Sequence, residues 1–89
     1  MQGCEGNVYT IAFSVPARKQ FLKLPAEVQR RIASSLERIR MRPEAYVTKL
    51  VGQNAYRLRV GDYRVIIDIE RTVLIILVIK VGHRQSIYG

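Results

Sequence analysis

The chain is short of several things at once: it has no tryptophan, one cysteine, one histidine and three prolines in 89 residues. With Cys4 alone, an intrachain disulfide and a zinc site built on cysteines are both excluded. Acidic residues are scarce too, seven against fifteen Lys and Arg, for a net charge of +8. The longest apolar run, Val73 to Ile79, has seven residues, far too few to span a bilayer as a helix. The stretch from Met1 to Gly6 has neither a basic nor an apolar region of the kind that opens a secretory signal. These absences lead to the expectation of a cytoplasmic protein with no membrane partner.

What is present is globular in kind. The chain is 48% hydrophobic and 25% charged, and its length suits one domain spanning residues 1–89, with residues 1–6 expected to fray. A chain this long buries between ~60% and ~70% of its unfolded surface, enough for one modest core. Residues 1–44 carry eight Lys/Arg and four Asp/Glu, residues 45–89 seven and three, so each half is +4. The charge therefore belongs to the folded body and not to a tail. A compact basic domain favours nucleic acid or an acidic protein partner. Eleven of the fifteen basic residues are Arg, the better bidentate phosphate ligand.

Val8 to Ser14 alternates Tyr9, Ile11 and Phe13 against Thr10 and Ala12, which predicts a strand. Ser14 can cap a short helix carrying Pro16 in its first turn. Leu24-Pro25 breaks it and opens a second helix, where Val28, Ile32, Leu36 and Ile39 form an apolar stripe before Pro43. Arg30, Arg31, Arg38, Arg40 and Arg42 fall on the other surface, as a solvated face or as a footing on RNA. Residues 44–54 read as a connection. Strands follow over Ala55–Val60 and Tyr63–Glu70, and a turn near Arg71-Thr72 leads to a last strand, Val73–Val81. That strand is apolar at consecutive positions, so both its faces should be covered. The fold class is α+β: strand, helix, helix and three strands, a mainly antiparallel sheet packed on a helical pair.

The sharpest signal is the hairpin from Tyr56 to Ile67. Gly61-Asp62 is a two-residue turn signal between alternating runs. Closing it there sets Val60 opposite Tyr63, Arg59 opposite Arg64, Leu58 opposite Val65 and Arg57 opposite Ile66. Alternation then puts Leu58, Val60, Tyr63 and Val65 on one face and Arg57, Arg59 and Arg64 on the other. Like charges directly opposite each other destabilise a sheet. Asp68 shares that face, but one carboxylate does not offset three guanidinium groups. A polyanion seated there is the simplest reason to gather them.

Lys49-Leu50-x-Gly52, the hairpin Tyr56-Arg57-Leu58-Arg59-Val60-Gly61-Asp62-Tyr63-Arg64-Val65, then Val81-Gly82-His83-Arg84 and Ile87-Tyr88 together resemble the RelE/ParE toxin superfamily of toxin–antitoxin systems. The resemblance covers nearly the whole chain and includes the element order. It implies the RelE-like (microbial RNase-like) fold. For the RelE branch it implies a ribosome-dependent endoribonuclease that cuts messenger RNA in the A site, without metal or cofactor. The 2′-hydroxyl attacks its own phosphate, leaving a cyclic phosphate and a free 5′-hydroxyl. Phosphate clamping would fall to Arg57 and Arg64, with Lys49 also in reach of phosphate. Base-side chemistry would fall to Arg59, acid-side chemistry to Arg84, and nucleobase stacking or proton handling to Tyr88.

RelE itself has lysines where this chain has Arg57 and Arg59. Arginine stays protonated to pH above ~12, so Arg59 is a poor general base and Arg84 a weak acid. Histidine is the one side-chain type present whose unperturbed pKa lies near neutrality, which makes His83 a further candidate. The resemblance also implies an acidic RelB-like antitoxin, in a toxin–antitoxin hetero-oligomer. Two other readings share the pattern: a ParE-type inhibitor of DNA gyrase, and a catalytically weak homologue that acts by protein binding.

Overall fold

The computed structural model describes residues 8–52 and 54–83. Strand β1 (Thr10–Phe13) leads into helix α1 (Val15–Leu22) and helix α2 (Ala26–Ile39). A single 3₁₀ turn (Pro43–Ala45) and the two-residue strand β2 (Thr48–Lys49) precede β3 (Tyr56–Val60), β4 (Tyr63–Glu70) and β5 (Ile75–His83). The five strands form one sheet in the order β1-β5-β4-β3-β2. All neighbours are antiparallel except β1 and β5, whose parallel pairing needs a long connection between them.

Local chemistry sets the helices. The Ser14 hydroxyl accepts a hydrogen bond from the Ala17 amide at 3.2 Å, capping α1 as its residue type predicts. Pro25 stands at the start of α2, where its missing amide costs nothing. In α2 the predicted stripe is the buried one: Ile32, Leu36 and Ile39 are almost wholly enclosed. They pack with Ala17 against Leu58, Val65, Ile67, Ile76 and Val78 of the sheet. Both helices thus cover one face of the sheet. Arg40 is not a freely solvated side chain: its Nε donates to the Tyr9 carbonyl at 2.7 Å and its Nη1 meets Glu37 at 2.8 Å, tying the end of α2 to β1.

Three details differ from expectation. The connection over 44–54 takes in most of the 3₁₀ turn and all of β2, and Arg71 ties that turn to β3: it pairs with Glu44 at 2.6 Å and donates to the Tyr56 hydroxyl at 3.3 Å. The last strand begins at Ile75 and not Val73, because residues 71–74 are all turn and Leu74 has a φ of 55°. It also runs on to His83. Within it the pairing slips: Ile66 faces Lys80 but Ile67 faces Val78, so Ile79 is an extra residue, a β-bulge. The bulge lets Val78 and Val81 both face the core although they are three residues apart. On the opposite face Ile75 and Leu77 are half-buried and Ile79 is exposed.

Candidate functional site

The hairpin has the predicted register: Val60 faces Tyr63, Arg59 faces Arg64, Leu58 faces Val65 and Arg57 faces Ile66. Gly61 takes a φ of 58° while Asp62 stays outside the left-handed region, which is the type II′ arrangement and the reason for glycine at the first turn position. A two-residue loop makes its flanking pair the hydrogen-bonded one. Arg59 and Arg64 are then a non-hydrogen-bonded pair, with Cα atoms about 4.5 Å apart, the closer of the two spacings.

Arg57, Arg59 and Arg64 therefore stand together on the face of the sheet away from the helices. Arg64 is the one charged residue buried among those described, 9% exposed, on central strand β4. Its Nη1 donates to the carbonyls of Gly61 at 3.5 Å and Tyr63 at 3.3 Å. Both are long, and among the described residues no acceptor meets its Nε or Nη2. A guanidinium has five donors, and burying it short of partners costs stability. The facing residue on β5 is Gly82, which adds no side chain over Arg64.

Beside Arg57 the next row across the sheet is Arg57, Ile66, Lys80. Lys80 is a fourth cation of this face, and it is not legible from the sequence, where it ends an apolar run. Only the bulge at Ile79 turns it to the arginine side. Further along β4, Asp68 and Glu70 occupy the far end of the same face. The neighbouring Asp68 raises the Glu70 carboxyl above its usual range, by hydrogen bonding first and charge repulsion second. The face is thus polarised, positive at the hairpin end and negative at the other.

Two predicted residues stand elsewhere. Lys49 pairs with Tyr56, so the pleat places it on the helix side of the sheet, exposed at the edge. His83 pairs with Tyr63, and their rings meet edge to face at 5.5 Å, on the face opposite Arg59 and Arg64. Arg84 and Tyr88 lie outside the described residues. Among the described residues no three His, Cys, Asp or Glu side chains are grouped to hold a metal ion, and no helix is long and apolar enough to cross a membrane.

A two-helix layer on one face of a mainly antiparallel five-stranded sheet is the architecture of the small RelE-like toxins. The profile of the ParE toxin of type II toxin–antitoxin systems, parDE, matches residues 7–88, and the chain belongs to that family. No curated protein sequence matches it. Among solved structures, a chain of the RelBE2 toxin–antitoxin complex of Mycobacterium tuberculosis has the same fold, with a TM-score of 0.81 at 22% identity over 89% of this chain and 94% of that one. The intact RelBE complex of E. coli gives 0.73 at 29% identity, over 84% and 95%. The archaeal RelE–RelB complex of Pyrococcus horikoshii gives 0.73 at 28%, over 86% and 96%.

Proposed function

We propose that this toxin is a ribosome-dependent endoribonuclease acting in the cytoplasm, cutting messenger RNA in the A site on the arginine face of the sheet. One observation carries the reading: buried Arg64, with donors to spare, stands directly opposite Arg59 at the open end of the face. That is a poor arrangement for stability alone and a good one for a phosphate.

The chemistry needs little more than positioned charge. As the 2′-oxygen bonds to phosphorus and the bond to the 5′-oxygen breaks, negative charge builds on the phosphoryl oxygens. Fixed guanidinium donors meet that charge without reorganising, the usual source of the largest catalytic term. Arg64 and Arg57 would hold the phosphate, with Arg59 beside the attacking oxygen. Arg59 acts there as a cation and not as a base, since arginine keeps its proton to pH above ~12. Proton handling would rest with Arg84 and Tyr88. The facing of His83 toward Tyr63 favours a supporting role for it, outside the reacting group.

The related RelE chains were solved as complexes with RelB. We extend this to a cognate acidic antitoxin for this chain, suited to its charge of +8. A second reading, inhibition of DNA gyrase, is favoured by the ParE profile match. Fold alone does not separate the two, because function resides in the site and not in the scaffold.

Primer extension on a defined message in translating ribosomes tests the proposal. Cleavage should appear only with ribosomes, and Arg64→Ala should slow it about 10²–10³-fold, as loss of one oxyanion donor does. Intact message together with arrested supercoiling would transfer the assignment to gyrase.

A further inference from the structure

A second cationic surface lies outside the arginine face. Helix α2 and the β3–β4 hairpin enclose an open groove of about 660 Å³. Arg30, Arg31, Ser34 and Arg38 form the helix wall, and Arg59 and Gly61 the hairpin wall. Arg31, Ser34 and Arg38 recur at helical spacing, so they form one stripe about 10 Å long. The stripe converges on the hairpin and does not fan out into solvent: Arg31 Nη1 would lie 3.5 Å from a Cβ placed on Gly61. Among the described residues β2 pairs with β3 only at Tyr56 and Arg57, so no strand covers the edge of β3 from Leu58 to Val60, beside the groove.

Among the described residues, Arg30, Arg31 and Arg38 make no ion pair and no side-chain hydrogen bond. Among the described residues the groove has one carboxylate, Glu27 in the first turn of α2, one apolar side chain, the buried Val60, and no aromatic ring. A protein partner anchors through apolar and aromatic side chains in pockets, and single-stranded nucleic acid through rings that stack on bases. This groove offers neither. It offers guanidinium and hydroxyl donors along a trough, which is what the sugar–phosphate backbone of a folded RNA takes.

We infer that the groove between α2 and the hairpin is a second RNA site, binding the phosphate backbone of structured RNA without reading its sequence. The choice of RNA as the polyanion rests on the function proposed above; the site itself rests on the groove. Arg59 borders both surfaces, so a duplex seated in the groove would hold the hairpin beside the strand to be cut.

The test is fluorescence anisotropy with a labelled RNA hairpin, 2′-O-methylated throughout so that it is not cleaved, titrated at several salt concentrations. R30A/R31A/R38A should bind at least tenfold more weakly than the unaltered chain. Its log–log salt slope should be shallower by about 2, given roughly 0.7–0.9 per phosphate contact. The triple lysine variant should recover most of the affinity, since a backbone site reads charge, and Arg64→Ala should weaken binding less than the triple alanine change. Equal affinity of the triple alanine variant and the unaltered chain would overturn the inference, as would tighter binding of a DNA duplex of the same length. Loss of binding in the triple variant, with no messenger cleavage by the unaltered chain, would reject the proposed activity and leave the groove site standing.

Discussion

Arg64 shows how one residue departs from what stability would choose. It is enclosed on a central strand, faces another arginine, and satisfies only part of its donor set on two backbone carbonyls. Its removal should therefore leave the fold intact: Arg64→Ala should melt no lower than the unaltered chain while losing its activity. A melting point several degrees lower would mark Arg64 as a structural residue. At the other end of the face, Asp68 raises the carboxyl of Glu70. A group whose folded pKa is raised binds its proton more readily in the native state, so its contribution favours folding at low pH and is lost as pH rises through the folded value. At neutral pH the two carboxylates repel. Glu70→Gln should then raise the melting temperature at pH 7, and the gain should shrink as the pH falls through the raised carboxyl pKa. A gain that is constant with pH would exclude this cause.

At the scale of elements, β5 organises the sheet, and its irregularities have identifiable supports. β1 pairs with it only as far as Val78. Where β1 stops, the Ser14 hydroxyl donates to the Ile79 carbonyl at 3.2 Å, and the Gln20 side-chain oxygen accepts from the Val81 amide at 2.8 Å. Helix α1 thus finishes the hydrogen bonding that a longer strand would have supplied. Gln20→Ala would leave the Val81 amide without its partner, at a cost of about 1–3 kcal/mol. For a domain of this size that is a fall in melting temperature of about 4–8 °C per kcal/mol. A variant melting within a degree of the parent would show that water replaces the glutamine. The hairpin register was legible because turn chemistry and alternation act locally and agree. β2 was not: two residues carry no periodicity, and the turn before them is tied through Glu44 to Arg71, 27 residues along the chain.

Across the whole molecule the charge is even along the sequence but uneven in space. Cations gather at the hairpin end of the open face and in the groove beside α2, and carboxylates at the far end of β4. Such a field speeds encounter with a polyanion and is screened by salt. In the ribosomal cleavage assay, kcat/KM should therefore fall at least tenfold between about 50 and 300 mM salt, while kcat should change by less than about threefold. Equal loss in both would mean that the charges act on the chemical step and not on approach.

The sequence by itself determined the two helices and their buried stripe, the hairpin and its pairing, the arginines sharing one face, and the superfamily. Each rests on local periodicity, on capping or turn residues, or on a motif contiguous in the chain. Tertiary structure decided the rest. It placed a bulge at Ile79 that turns Lys80 toward the arginines, it set His83 and Lys49 on the other face, and it brought α2 against the hairpin to form a second basic surface. The bulge, His83 and the groove depend on contacts between segments well separated in sequence, and Lys49 on the register of a two-residue strand; in each strand pairing a slip of one residue reverses the face a side chain occupies. No local pattern along the chain records such a slip.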